Sequence, residues 1–156
     1  MRIRLLFVGR TGEADLASAT ERYVARAGRF IPVEVSFVKE ETPGKRPVVA
    51  RILSGEARRV EAALRRRDLL VACDAGGKEL TSEAFTARLR AWLDESPSSV
   101  CFLVGGAFGL DPGLVRKARA ILPLSRLTLP HQLARLVLAE QIYRAVATLH
   151  GVAYSK

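Results

Sequence analysis

Short apolar runs alternate along the chain with longer segments of helical period, and this alternation is the strongest constraint on the fold. Apolar or β-branched runs predict strands at residues 2–8, 33–38, 69–74, 99–104 and 126–129. The segments between and after them predict helices at residues 13–27, 46–66, 82–94, 112–120 and 132–149. Such an order is typical of an α/β domain whose mostly parallel sheet is flanked by helices.

The size and composition of the chain predict one globular domain spanning residues 1–156. It is 49% hydrophobic and 26% charged, which argues against a disordered or collagen-like protein. No run approaches the ~18 apolar residues of a membrane span. The apolar stretch at residues 5–8 is too short for a signal peptide. We therefore expect a cytoplasmic protein with no membrane partner.

The cysteines and histidines do not indicate a metal centre. Cys73 and Cys101 each lie inside an apolar run, as reduced cysteines of a protein core do. The two histidines, His131 and His150, are far from both thiols in the sequence. A zinc site needs more ligands than this set readily supplies, so no metal is expected.

Basic residues dominate the charge of the chain. Lys and Arg number 25 against 16 Asp and Glu, which gives a net charge of +9 and favours a polyanionic partner. In the predicted helix 46–66, four apolar residues gather on one side and three arginines on the other. The apolar residues are Val49, Leu53, Val60 and Leu64, and the arginines are Arg51, Arg58 and Arg65. The arginine face is either a solvated surface or an RNA contact.

Three loops follow predicted strands and are expected to meet. They lie at residues 75–77, at residues 105–109 and at the turn containing Pro130. Ligands of parallel α/β sheets bind beyond the carboxyl ends of the strands, so these loops predict one shared pocket. Glycines at 105, 106 and 109 allow the main chain to approach a ligand, or serve a turn alone. The sequence contains no GxGxxG, P-loop or GxSxG motif, which disfavours NAD-binding, P-loop and serine-hydrolase chemistry.

The last predicted helix is apolar on more than one side. One side of the helix carries Leu133, Leu136 and Val137, and another side carries Leu138, Ile142, Ala145 and Leu149. A helix of this kind needs cover on several sides, which predicts a homodimer interface. Glu140 and Arg144 stand four residues apart in the favourable order and are expected to pair.

Two segments resemble a known family. LVGGAFGL at residues 103–110 and LSRLTLPHQLARLVLAEQIYRA at residues 124–145 closely resemble the ribosomal RNA large subunit methyltransferase H family. These proteins are small SPOUT-class, α/β-knot methyltransferases, and the similarity runs from the first predicted strand to the end of the chain. The resemblance implies a C-terminal trefoil knot, which is rare among proteins.

The resemblance also implies a cofactor and a reaction. S-adenosylmethionine is expected in the three knot loops, and the reaction is methylation of N3 of a pseudouridine in the helix 69 loop of 23S rRNA, on the assembled ribosome. The family's cofactor positions correspond to Ala72, Cys73, Gly105, Gly106, Ser125, Arg126, Leu127, Thr128, Leu129 and Pro130. Two alternatives remain open: a tRNA ribose methyltransferase of the same fold, and a non-catalytic ribosome-binding factor.

Removal of the N3 proton requires an acceptor or a positioning group, for which the resemblance gives three candidates. They are His131, Tyr154 and Lys156. Family members tend to end in a Pro-Tyr-His-Arg-like tail, whereas this chain has Ser155 at the histidine position. The tail therefore has no histidine to accept the proton. Lys156 is also an expected contact to an RNA phosphate, without the bidentate fork of arginine.

Overall fold

The computed structural model describes residues 1–95 and 98–154 and contains five strands and five helices in this part of the chain. The strands are β1 (Ile3–Val8), β2 (Val33–Val38), β3 (Asp68–Cys73), β4 (Ser99–Val104) and β5 (Ala120–Ile121). The helices are α1 (Ala14–Ala27), α2 (Val49–Ala63), α3 (Ser82–Asp94), α4 (Pro112–Lys117) and α5 (His131–Leu149).

The strands form one parallel sheet in the order β2-β1-β4-β3-β5. β1 and β4 lie in its interior and are buried along their whole length, which is why both are largely apolar apart from Arg4 and Ser99. One face of the sheet packs against α1, α3 and α5, and the other against α2 and α4. The predicted parallel α/β architecture is confirmed, whereas the trefoil knot stays a prediction.

Side-chain caps fix the starts of two helices. The Thr81 hydroxyl accepts a hydrogen bond from the Ala84 N–H at 3.1 Å, where α3 begins. The Asp111 carboxylate accepts one from the Gly113 N–H at 2.7 Å, ahead of α4. Because Asp111 also precedes Pro112, α4 begins at a residue that has no N–H to satisfy.

The predicted strand at residues 126–129 is wrong, and the fifth strand lies earlier. β5 pairs with Val71 and Ala72 of β3, and the flanking N–H groups of Arg119 and Leu122 donate to β3 carbonyls. This pairing also ends α4 at Lys117, three residues before the predicted end. Residues 126–129 instead form an irregular segment that lies mostly at the surface.

The predicted helix at residues 46–66 is shorter than expected, and its buried face differs. α2 ends before Leu64, whose backbone is extended. Its buried side chains are Ile52, Glu56 and Val60, and Val49 is 44% exposed. Glu56 is buried because its carboxylate accepts a hydrogen bond from the Glu41 N–H at 3.0 Å, which holds the loop after β2. A buried glutamate is not visible in an apolar pattern.

Neither a membrane-spanning helix nor a metal-binding cluster occurs within residues 1–95 and 98–154. No helix in this part of the chain has both the length and the apolar character needed to span a bilayer. The same residues contain no group of three or more His, Cys, Asp or Glu side chains placed to hold a metal ion.

Candidate functional site

A cleft lies beyond the carboxyl ends of β3 and β4 and encloses about 200 Å³. Three segments form it: the end of β3 with the loop that follows, the last residue of β4, and the segment leading into α5. Its lining residues are Cys73, Asp74, Ala75, Val104, Leu124, Ser125, Arg126, Leu127, Thr128, Leu129 and Ala134. The cleft thus brings together the loop after β3 and the segment that leads into α5, whereas no residue of the predicted glycine loop 105–109 lines it.

The loop after β3 is packed tightly against the segment after β5. A Cβ on Gly77 would lie 2.8 Å from Cδ of Pro123, so only glycine fits at this contact. The Asp74 carboxylate accepts a hydrogen bond from the Gly76 N–H at 3.0 Å and fixes the turn. These contacts hold one wall of the cleft in place without any ligand.

The segment at residues 124–130 forms the opposite wall. The Ser125 hydroxyl accepts a hydrogen bond from the Leu127 N–H at 2.9 Å and bends the backbone away from the sheet. Arg126 pairs with Glu79 of the neighbouring loop, at 3.1 Å between Nε and Oε1. Leu127 is 77% exposed, so a large apolar side chain stands uncovered at the rim of the cleft.

The glycine loop at residues 105–109 follows Val104, the last residue of β4. The Gly109 N–H donates to the Gly106 carbonyl at 3.1 Å, and Gly109 has a φ of +82°, which closes a tight turn. A Cβ on Gly105 would collide with the Gly109 carbonyl. A Cβ on Gly106 would point towards Val8 and Glu56, on the α2 side of the sheet. Four of the predicted cofactor residues are therefore not among the lining residues of the cleft: Ala72, Gly105, Gly106 and Pro130.

The chemistry of the cleft fits S-adenosylmethionine. Leu124, Leu127, Val104 and Ala134 offer the apolar surface that an adenine ring needs, and the irregular backbone of residues 124–129 offers polar groups for its edge. The Asp74 carboxylate stands in the facing wall, after β3, and complements a sulfonium or an amino group by charge. The cleft therefore offers apolar surface to the adenine ring, hydrogen-bonding groups to its edge and a negative charge to the sulfonium or amino group.

His131 begins α5, directly after Pro130. It is half-buried, and burial, followed by the positive charge of Arg135, lowers the pKa of its imidazole below the ordinary value. The imidazole is therefore neutral at pH 7 and can accept a proton. Ala134, which lines the cleft, is three residues further along α5 and so lies beside His131 on the helix surface.

Tyr154 packs at the far end of α5. Its ring lies 5.1 Å from that of Tyr143, and the guanidinium carbon of Arg144 lies 4.2 Å from its centroid. Twelve residues separate Tyr143 from His131, which corresponds to about 18 Å of helix. Burial and hydrogen bonds with Tyr23 and Glu140 raise the pKa of Tyr154 to about 12. Its phenol is a donor at pH 7, and within one chain it is far from the cleft; Lys156 lies outside the described residues.

The three arginines of the predicted RNA-binding face have different surroundings. Arg51 and Arg58 are exposed on α2, and neither has an ion-pair partner within residues 1–95 and 98–154. Arg65 lies beyond the end of α2, and its two terminal nitrogens donate to the Glu34 carboxylate at 3.0 and 2.6 Å. Sequence reasoning missed Arg116, which is exposed on α4. The start of the positive surface on α2 is close by, because Lys117 of α4 pairs with Glu61 of α2.

Sequence reasoning missed four further lining residues of the cleft: Asp74, Val104, Leu124 and Ala134. Asp74 was assigned to a predicted strand, although an Asp at the carboxyl end of a strand is a signal that could have found it. Leu124 and Ala134 are small or apolar residues in apolar surroundings, and no sequence signal distinguishes them from core residues. The lining role of both depends on how the chain turns after β5.

Comparison with known proteins identifies relatives over the full length of the chain. Residues 1–155 match the model of a family described as predicted SPOUT methyltransferase. The chain is 41% identical over 159 residues to Ribosomal RNA large subunit methyltransferase H of Gemmatimonas aurantiaca, and 40% identical over 156 residues to that of an Anaeromyxobacter species. Both matches cover 100% of each chain.

Solved structures share the fold at low sequence identity. A probable methyltransferase from Bordetella pertussis matches with a TM-score of 0.61 and 17% identity, over 93% of this chain and 96% of its own. A probable methylase family protein from Haemophilus influenzae also gives a TM-score of 0.61, with 13% identity, over 99% of this chain and 70% of its own. With the sequence matches and the site geometry, these findings show that the chain belongs to the SPOUT methyltransferase family of ribosomal RNA large subunit methyltransferase H.

Proposed function

We propose that this protein is a cytoplasmic, S-adenosylmethionine-dependent methyltransferase that modifies N3 of a pseudouridine in the helix 69 loop of 23S rRNA on the assembled ribosome. The observation that carries the proposal is the cleft beyond β3 and β4, which combines apolar walls, irregular backbone and the Asp74 carboxylate. Membership of the family and the names of its relatives support the RNA substrate.

The bound cofactor supplies an electrophilic methyl group for displacement by a ring nitrogen. The residues of the chain then have three tasks: to hold the donor, to orient the base and to receive the N3 proton. Donor binding falls to the lining of the cleft, and the family resemblance adds Ala72, Gly105, Gly106 and Pro130 to this proposal. Leu127 is suited to cover an adenine ring because it is uncovered in the protein alone.

His131 is the proton acceptor or positioning group that the structure favours among the three candidates. Its imidazole is neutral at pH 7, and it stands on the first turn of the helix that contributes Ala134 to the cleft. Tyr154 keeps its proton at neutral pH and is suited to donate a hydrogen bond. A role for Lys156 as a contact to RNA phosphate is part of the same proposal.

The outer face of α5 supports a homodimer. Leu133, Leu136 and Val137 are only half-buried, whereas Leu138 and Ile142 are in the core. Glu140 and Arg144 pair at 2.6 Å beside this apolar surface. Covering it with a second copy of the chain would remove apolar side chains from water without leaving a charge unpaired. Light scattering at micromolar concentration tests this assembly, for which a mass of one chain would be the contrary result.

The α2 and α4 layer is suited to bind the RNA backbone. Arg51 and Arg58 stand seven residues apart, on the same side of α2 and about 10 Å apart along its axis. Arg116 extends the positive surface onto α4. Guanidinium groups without carboxylate partners are available to phosphates, whereas Arg65 must first release Glu34. Contact through Arg65 therefore costs more than contact through Arg51 or Arg58.

The test uses ribosomes from cells that lack this gene and S-adenosylmethionine with a labelled methyl group. Purified protein is incubated with intact ribosomes, separated subunits or tRNA, and the RNA is digested for mass spectrometry. Label in methylpseudouridine from 23S rRNA is the expected result. Label in tRNA ribose would favour the first alternative, and tight ribosome binding with no transfer would favour the non-catalytic factor.

A further inference from the structure

Arg135 is a fully buried arginine that has no carboxylate partner among residues 1–95 and 98–154. Its terminal nitrogens donate to the Val8 carbonyl at 2.5 Å and to the Thr11 hydroxyl at 3.0 Å. Its guanidinium carbon lies 4.8 Å from the centroid of the Phe7 ring, and its Nε has no hydrogen-bond partner. Burying a guanidinium without an ion-pair partner is costly, so an arginine at this position calls for a function.

The contacts of Arg135 join the first turns of α5 to the end of β1. Val8 is the last residue of β1, and Thr11 lies in the loop before α1. One turn of α5 nearer its start, the side-chain oxygen of Gln132 accepts a hydrogen bond from the Glu13 N–H at 3.2 Å, in the same loop. Since residues 124–130 run directly into α5, the position of this wall of the cleft depends on where α5 is held.

We propose that Arg135 is a positioning residue for methyl transfer, which fixes the wall of the donor cleft and the ring of His131 by holding the start of α5 against the end of β1. The inference rests on the proposed function for the role of the cleft. Arg135 does not itself touch the donor or the base, because its side chain is fully buried. It acts through the backbone that leads to Pro130 and through His131, which lies one turn away on α5.

The charge of Arg135 gives this role a signature that packing alone would lack. Three charged groups act on His131: Arg135 on α5, Glu13 before α1 and Glu40 after β2. Arg135 favours the neutral imidazole, and the two glutamates favour the protonated form. Burial lowers the pKa of Arg135 to about 10, so it remains charged at pH 7. Removing this cation lets the pKa of His131 rise.

Two variants separate the hydrogen-bonding fork from the charge. Arg135→Lys keeps a cation but cannot reach both Val8 and Thr11 in the fork geometry, whereas Arg135→Met removes fork and charge together. We expect both variants to bind S-adenosylmethionine about tenfold more weakly in calorimetry, which corresponds to ~1.4 kcal/mol. Only Arg135→Met should also move the acid limb of kcat to higher pH, because His131 then protonates more readily.

Arg4→Lys is the matched control. Arg4 is also a buried arginine; it lies in β1, about 13 Å from Val8 along the strand, and pairs with the buried Asp68 carboxylate of β3. We expect this change to lower the melting temperature without weakening donor binding or moving the pH profile.

Because calorimetry needs no RNA, a wild-type protein that does not bind the donor would refute the proposed function and not this inference alone. Donor affinity and pH profile that stay at wild-type values in folded Arg135→Met or Arg135→Lys would overturn the positioning role. Should Arg135→Met not fold, Arg135→Lys decides the same question through donor affinity.

Discussion

Gly77 and Ile121 are packed so closely that a Cβ on Gly77 would lie 2.6 Å from the carbonyl oxygen of Ile121. This contact joins the loop after β3 to the segment after β5, and the two carry opposite walls of the donor cleft. Because the obstacle is backbone and a proline ring, it cannot move aside as the end of a flexible side chain would.

Gly77→Ala is therefore expected to push the two segments apart. The free energy of unfolding should fall by about 1–3 kcal/mol, as for other overpacked sites, and donor affinity should fall with it. Urea unfolding and calorimetry measure the two effects. Gly44→Ala is the control, since nothing lies within 4 Å of a Cβ at that position. Equal stability and affinity in the two variants would contradict the packing described for Gly77.

The thiols of Cys73 and Cys101 should react slowly in the folded protein. Burial raises the pKa of both, that of Cys101 to about 12, so neither forms much of the reactive thiolate at pH 8. Labelling with iodoacetamide at pH 8 should be at least tenfold slower in the native protein than in 8 M urea, where both thiols are free. The unfolded thiols ionise near pH 9 and the native ones do not, so the unfolded state binds fewer protons there. Stability should accordingly decrease above pH 9. Rapid native labelling of either cysteine would refute its burial.

Tyr154 should ionise well above the ordinary range of a tyrosine. Its phenol is held by burial and by hydrogen bonds with Tyr23 and Glu140, which raise its pKa to about 12. Absorbance at 295 nm during a titration to pH 12 should show a late component that is missing from Tyr154→Phe. Because Tyr154 stays protonated until about pH 12, the alkaline side of the pH profile of methyl transfer should be the same in the wild-type protein and in Tyr154→Phe. A Tyr154 that titrates near pH 10 would mean that its side chain is not packed on α5.

Removing Arg51 and Arg58 should change the salt dependence of ribosome binding more than the affinity for the donor. Each phosphate contact contributes about 0.7–0.9 to the slope of log K against log salt, so Arg51→Gln/Arg58→Gln should reduce this slope by between one and two. Arg88→Gln/Arg90→Gln removes the same charge from α3, on the opposite layer, and should leave the slope nearly unchanged. Equal slopes for the two double variants would assign the α2 arginines to solubility.

Periodicity predicted the elements whose burial follows a regular pattern. The central strands and the bounds of α3 agree with the expectation, because each has an apolar face that is covered on folding. β5 could not be found in this way, since two residues have no period and Ala120–Ile121 is defined by its pairing with β3. Residues 126–129 look like a strand because they contain Leu127 and Leu129, but the Ser125 turn directs them to the surface.

The candidate site, like the fold, could be predicted from the sequence only in part. The meeting of the loop after β3 with the segment before α5 followed from the rule that ligands bind at the carboxyl ends of parallel strands, whereas the glycine loop contributes no lining residue. Arg135 did not stand out, because an arginine in an apolar helix is ordinarily expected to face water. Its burial depends on Val8 and Thr11, which are 127 and 124 residues away in the chain. Contacts of that range leave no local signal in the sequence.

The packing of α5 against α1 has a consequence for biosynthesis. The start of the chain leaves the ribosome first, yet α1 finds its partner helix only when residues 131–149 have emerged. Ala134, which completes the cleft, comes from that same late segment. A polypeptide that ends before residue 131 therefore has an incomplete donor cleft. Premature termination should yield an inactive protein rather than an enzyme of reduced activity.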